Sequence, residues 1–287
     1  PPPRRAPLSS QRWLQLLLLL LPPLGWMVVV YLGSLAILLV WSFWRLDTFT
    51  AQVVREFGLD NFKRLAEVDI YRTVVIRTIR IAGLVTILDA LMAFPLAYYM
   101  VRVSSARTRS LMFMAIMMPL WASYLVRAYA WRLILAEDGP LNWAFESIGL
   151  GGLSLGFSEP AMVIVFAYMW LPFMILPIYA SLERIPGNLL EASADLGGRA
   201  GVTFRRVVFP LALPGIVAGS VFTFSLTLGD YIIPPLIGNS QFLGNVVYSN
   251  VGVANNLPLA AALTFVPIGV MAVYLLVARR LGAFEAL

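Results

Sequence analysis

Six stretches of roughly twenty mostly apolar residues constrain this chain more than any other feature. A run of that length carries a helix across a hydrocarbon core of about 30 Å. The runs lie near 24–44, 77–101, 110–135, 161–181, 210–230 and 259–278. Of the 287 residues, 60% are hydrophobic and 13% charged, too few polar groups to clothe an ordinary soluble domain. The expected fold is therefore all-α and membrane-embedded, with six transmembrane helices in one polytopic domain over 24–280. Residues 1–23 read as a cytoplasmic N-terminal segment that starts the first helix, and 281–287 as a cytoplasmic tail. Arg4, Arg5 and Arg12 ahead of the leucine run Leu14–Leu21 have the shape of a signal peptide. No small-residue cleavage site follows, and apolar character continues through Trp44, so the segment is read as part of a span. Pro22 and Pro23 mark a kink or the start of that helix.

An even number of spans puts both termini on one side, and arginine shows which. Arg102, Arg107, Arg109, Arg184, Arg199, Arg205, Arg206, Arg279 and Arg280 fall on the side of the termini. The connections 136–160 and 231–258 on the other side contain neither Lys nor Arg. That asymmetry predicts cytoplasmic termini. The 45–72 connection is mixed in charge and reads as a polar loop outside the bilayer core that carries short helices. Pro95, Pro119, Pro172, Pro177 and Pro267 inside spans require neighbouring helices to satisfy the freed backbone groups, so a packed bundle is implied. The excess of 21 basic over 15 acidic residues is explained by orientation and calls for no nucleic acid.

Cysteine and histidine are both absent, which removes disulfides, Cys/His metal sites, a histidine base and thiol nucleophiles. The only lysine is Lys63, in Leu59-Asp60-Asn61-Phe62-Lys63, so no phosphate-binding G-x-x-x-x-G-K loop exists. No catalytic residue, metal ligand or cofactor is assigned to the chain, and any ATP must be hydrolysed by another polypeptide.

The loop 182–209 is built like a short helix pair. Asn188 is placed to cap a first turn, with Glu191 three residues on to close a capping box. Leu189, Leu190, Ala192, Ser193 and Leu196 then make one apolar-to-small surface, and Gly197 is suited to end the helix in a left-handed conformation. A short rigid helix with small residues fits a groove of a partner protein and converts that partner's motion into motion of the attached spans.

Glu191-Ala192-Ser193-Ala194-Asp195-Leu196-Gly197 resembles the E-A-A-x-x-x-G signature of ABC importer permeases, and Phe209-Pro210-Leu211-Ala212-Leu213-Pro214 its L-P-x-x-x-P ending. Ser193 replaces the usual second alanine and Phe209 the usual leucine. The resemblance implies a type I ABC importer permease fold, with a cytoplasmic coupling helix docking on an ATP-binding subunit through Glu191, Ala192, Ser193, Asp195, Leu196 and Gly197. Gly58-Leu59-Asp60-Asn61-Phe62, Pro119-Leu120-Trp121, Leu125-Val126-Arg127-Ala128-Tyr129, Leu171-Pro172-Phe173, and Gly229-Asp230-Tyr231 with Pro234 resemble the larger permease subunit of spermidine/putrescine transporters. Membership of that family implies two ATPase subunits holding ATP and Mg, a second related permease, an extracytoplasmic binding protein and a bacterial inner-membrane location.

Charged groups within spans are costly and single out Asp89, Arg127 and Asp230. Asp89 suits either a cationic substrate or a partner on another helix; Arg127 suits a structural role. Asp230 and Tyr231 pair a carboxylate with an aromatic face, the surroundings an ammonium group prefers. Trp121, Tyr124, Tyr168 and Trp170 are further rings for a central path, against the ordinary reading that bundle aromatics are packing. The expected function is ATP-driven import of polyamines. A permease for ferric iron, thiamine, sulfate or a phosphonate is the alternative within the family. An ion-driven secondary transporter, with paired broken helices in an internal repeat, or a membrane scaffold, are the alternatives outside it.

Overall fold

The computed structural model describes residues 8–47, 49–149 and 155–280. Arg4 and Arg5 of the predicted N-terminal segment, and the predicted tail 281–287, lie outside the described residues. The first helical run comprises α1 (Leu8–Met27), a π-helical turn (Val28–Leu32) and α2 (Gly33–Ser42) without interruption. Pro22 and Pro23 lie inside α1, so the first helix begins upstream of the expected position near 24. In an apolar medium a break there would strand more backbone groups than the two prolines remove. The following connection holds the two-residue strands β1 (Arg45–Leu46) and β2 (Val53–Val54), paired antiparallel, and α3 (Asp60–Glu67). Asn61 ties it to the first helical run, its side-chain amide donating to the carbonyls of Ser42 at 2.9 Å and Trp44 at 2.7 Å.

α4 (Asp69–Arg102) runs for 34 residues, roughly 51 Å at 1.5 Å per residue, well beyond the expected 77–101. The third expected span is present as a bent pair of helices. α5 (Ala106–Met117) tightens into a 3₁₀ turn (Met118–Trp121), and α6 (Tyr124–Ile134) leaves at 97°. Pro119 offers no backbone N–H, and Ala122 is extended (ψ 143°), so the helical ladder cannot pass this point. After α7 (Pro140–Ser147), α8 (Glu159–Glu183) matches the fourth expected span. α9 (Gly187–Asp195) and α10 (Ala200–Thr203) form the loop pair. α10 continues through a π-helical turn (Phe204–Val208) into α11 (Phe209–Leu228), so Pro210 does not begin the fifth span as expected. The short α12 (Ile233–Ile237) and α13 (Leu243–Gly252) precede the last span, α14 (Leu257–Arg280). Among the described residues, five helical runs are long and apolar enough to cross a membrane, and the bent pair α5 and α6, taken as one span, makes a sixth.

The core is the trio α4, α8 and α11. In a bilayer, helices gain nothing from hydrophobic exclusion and instead rely on close backbone approach at small residues. Gly215 and Gly219 supply it on α11. A Cβ at Gly219 would lie 2.9 Å from the Met174 carbonyl, and one at Gly215 would lie 2.5 Å from that of Pro177. Ala93, Ala97 and Ala212 are fully buried in the same layer. These pairings make α11 antiparallel to α8, while α4 runs parallel to α8. All three ends near Arg102, Arg184 and Arg206 therefore meet at one end of the bundle, the arginine end.

Candidate functional site

Two regions carry chemistry, one at each end of the core trio. At the arginine end, α9 projects with no buried residue. Pro186, in extended conformation, occupies its N-cap, and the capping box expected from Asn188 and Glu191 is not formed. The preceding residue explains this. Ile185 is buried in the bundle, and Arg102 at the end of α4 donates to the carbonyls of Leu182 at 3.1 Å and Ile185 at 2.8 Å. The chain is fixed before Asn188, and the helix starts two residues earlier than side-chain capping would place it.

The other end of α9 follows the sequence reading. Gly197 adopts φ +77°. Its N–H donates to Ala194 O and that of Gly198 to Ser193 O, each at 2.8 Å, the paired closure of a Schellman motif. Ser193 Oγ lies 2.8 Å from Thr203 Oγ1, which clamps α9 to α10. A Cβ at Gly198 would sit 2.6 Å from Ser193 O, so only glycine lets the chain return this tightly. Of the expected docking surface, Leu190 turns into the bundle, while Leu189 is exposed and Leu196 is 90% exposed. Glu191, Ala192 and Asp195 are exposed beside them. Phe204 anchors the pair to the spans, its ring 5.6 Å edge-on from Phe94 and 6.2 Å from Tyr98, both on α4. A groove of ≈ 330 Å³, lined by Pro177, Ser181, Arg184, Leu189, Pro214 and Gly215, opens between α8 and α11 beside it.

At the opposite end, the break in the third span brings Tyr124 to Asp230. The Tyr124 hydroxyl donates to Asp230 Oδ2. Asp230 Oδ1 accepts the N–H groups of Ile232 and Ile233, each at 2.8 Å, and so caps α12. Asp230 is only 8% exposed, its oxygens already engaged. Trp170 stacks on Tyr124 at 5.8 Å and 13°. Tyr168 packs instead on Trp131, 5.2 Å away. Tyr231 is turned outward and stacks on Tyr248 at 5.0 Å. With Tyr129, Leu125 and Pro235 these two rings line an open groove of ≈ 450 Å³. Tyr129 and Tyr248 escaped the sequence reading as path residues, because the signal would have been their meeting across 119 positions.

The structure joins Tyr124, Trp170 and Asp230 and leaves the other candidates apart. Trp121 is 85% exposed at the break. Asp89 is fully buried in the core, and Arg127 Nε and Nη1 are buried with no protein partner among the described residues. Those residues contain no cluster of Asp and Glu suited to a metal.

Residues 82–284 match the family described as binding-protein-dependent transport system inner membrane component. Inner membrane ABC transporter permease protein YdcU of Escherichia coli K12 is 50% identical over 96% of this chain and 92% of its own length. The spermidine/putrescine transport system permease protein PotB of the same organism is 30% identical, covering 89% of this chain and 94% of its own. Among solved structures, a chain of a bacterial ABC transporter involved in the import of the acidic polysaccharide alginate superposes with a TM-score of 0.77 at 18% identity, over 95% of this chain and 96% of that one. A second structure, of the alginate transporter with an alginate pentasaccharide-bound periplasmic protein, gives 0.78 at 17%, over 97% of each chain. The shared fold is that of type I ABC importer permeases, as the loop motif led us to expect.

Proposed function

Because the chain belongs to the family of binding-protein-dependent transport system inner membrane components, we propose that it forms half of a polyamine translocation path and is driven through α9. It is a multi-pass inner-membrane ABC importer permease. In the proposed assembly, residues 24–280 pair with a second, related permease, two ATPases holding ATP and Mg grip the cytoplasmic loops, and a soluble receptor delivers the ligand outside. Both termini lie in the cytoplasm. Closure of the ATPases pushes Glu191, Ala192, Ser193, Asp195 and Leu196, and hydrolysis resets the path.

One observation carries the coupling role: α9 has no buried residue and turns Leu189, Glu191, Ala192 and Asp195 outward, yet the hairpin is fastened to α4 through Phe204, and α9 to α10 through Ser193. Such a lever has no use for its outward face unless another subunit covers it. Ala192→Trp in the assembled transporter is expected to cut uptake at least tenfold while ATP hydrolysis persists and membrane abundance is unchanged. Unaltered uptake would remove the coupling role.

Polyamine import is supported by the relatives named for spermidine and putrescine, which align along 89% of the chain, and by the aromatic groove. Asp230 and Tyr124 hold each other, which leaves Tyr231, with Tyr129 and Tyr248, as the open ring faces for an ammonium chain. Arg127, whose buried Nε and Nη1 have no protein partner among the described residues, favours a second reading in which the ligand is an anion. ATP-dependent spermidine uptake by the transporter reconstituted with its cognate receptor separates the two. Competition by putrescine and none by sulfate or an acidic oligosaccharide is the expected pattern; the reverse pattern establishes the anion.

A further inference from the structure

Three buried polar groups in the middle of the core trio have no protein hydrogen-bond partner among the described residues. They are both carboxyl oxygens of Asp89 on α4, Nε1 of Trp170 on α8, and Oγ1 of Thr223 on α11. Asp89 and Thr223 are 0% exposed and Trp170 is 8% exposed. Burying even one such group unpaired is unfavourable, and native interiors satisfy nearly all of them.

The helix register puts the three at one level. Arg80 bonds Glu159, and Arg102 bonds the carbonyls of Leu182 and Ile185, which sets Ala93 on α4 beside Met174 on α8, while Gly219 backs directly onto Met174. Asp89 lies four residues before Ala93, Trp170 four before Met174, and Thr223 four beyond Gly219. Because α11 runs opposite to α4 and α8, each step is one turn, about 6 Å, toward the same end of the bundle. The layer above agrees: Ala82 packs with Phe224 and Leu228, and Val85 shares a cluster with Phe166 and Met169.

The Thr223 hydroxyl behaves unlike its neighbours. Thr78, Thr86, Thr227 and Thr264 each donate to the carbonyl four residues back, as helical threonines in an apolar setting do. Thr223, buried as deeply, does not. Ser220, one turn away, is likewise satisfied: it donates to Val217 O and accepts from Tyr274.

We propose that Asp89, Trp170 and Thr223 form an intramembrane binding site for an ordered water molecule. The donor and acceptor inventory selects that ligand. The indole N–H only donates, the hydroxyl donates or accepts, and the carboxyl offers two oxygens. One water accepts from Trp170 and Thr223 and donates to Asp89, within the two to four partners a buried water takes. An ammonium group has no acceptor for the indole N–H, so the site discriminates against a cationic cargo. The water also fixes Trp170, the ring on which Tyr124 stacks, and so links the three core helices to the Tyr124–Asp230 pair.

Cryo-electron microscopy of the assembled transporter in nanodiscs, at a resolution that reveals ordered solvent, is expected to show one density peak within hydrogen-bond reach of all three groups. A dry site, with Asp89 bonded directly to Thr223 or Trp170, overturns the proposal. Melting of the same assembly gives the second measurement. Thr223→Val removes a group that bonds water, whereas Thr227→Val removes only a bond within its own helix. The first is expected to lower the melting midpoint by about 2 °C, and the second by less than half as much. In an Asp89→Leu, Trp170→Phe background the Thr223→Val loss should shrink to the level of Thr227→Val. Equal losses in both backgrounds would sink the shared site. Should the double background fail to assemble, the density in the unaltered protein decides.

Discussion

Asp230 is held from two directions, by the Tyr124 hydroxyl on one oxygen and by two backbone N–H groups at 2.8 Å on the other. A carboxylate so engaged acts as a bracket, joining the broken third span to the turn that follows α11. Gly244 seals the bracket from behind, since a Cβ there would sit 2.5 Å from the carbonyl oxygen of Asp230. Removing the hydroxyl leaves one buried oxygen unpaired, at a cost of about 1–3 kcal/mol. Tyr124→Phe should therefore lower the melting temperature of the detergent-solubilised chain. Asp230→Ala should lower it further, because the cap on α12 is lost as well. Their combination should fall short of the sum, since the two residues share one interaction. Additive losses in a double-mutant cycle would show that the Tyr124–Asp230 bond carries no stability.

The α9–α10 hairpin depends on backbone geometry at its two glycines. At Gly197, φ is +77°, a region that costs an L-residue roughly 1–2 kcal/mol. Gly197→Val should fray the end of α9 and reduce uptake more than Gly197→Asn, because asparagine tolerates the left-handed region. Equal transport by the two variants, at equal membrane abundance, would mean that the Schellman closure is irrelevant to coupling. This element also marks how far the sequence is readable. The left-handed glycine follows from local chemistry, and so does the existence of the hairpin. The replacement of Asn188 by Pro186 as cap does not, because it is imposed by Arg102, which lies 83 positions from the Ile185 carbonyl it binds. The same holds for Phe204, whose anchors Phe94 and Tyr98 sit on a helix more than a hundred residues away. In the third span the sequence displayed Pro119 but not the 97° turn, since hydropathy is indifferent to direction. Likewise the rings singled out from the sequence divide between Tyr124–Trp170 and Trp131–Tyr168 according to which helix faces which.

Transport across a bilayer requires that the two functional regions face opposite compartments. Arginines mark one end: Arg109 reaches back to the carbonyls of Met100 and Val101, while Arg102 reaches Leu182 and Ile185. The far end carries α12, α13 and the aromatic groove. The bundle core separates them, so the sidedness of one fixes that of the other. Because the chain contains no cysteine, single introduced thiols report without background. Leu196, 90% exposed on the α9–α10 hairpin, and Val253, 80% exposed beyond α13, are suitable places. With a membrane-impermeant maleimide, Leu196→Cys should react only in inverted vesicles, and Val253→Cys only in intact spheroplasts. Binding of the ATPase should further protect Leu196→Cys and leave Val253→Cys unchanged. Reaction of Leu196→Cys from outside would reverse the orientation that the arginines imply. Accessibility undiminished by the ATPase would detach the hairpin from the motor, and with it the path by which ATP energy reaches α4, α8 and α11.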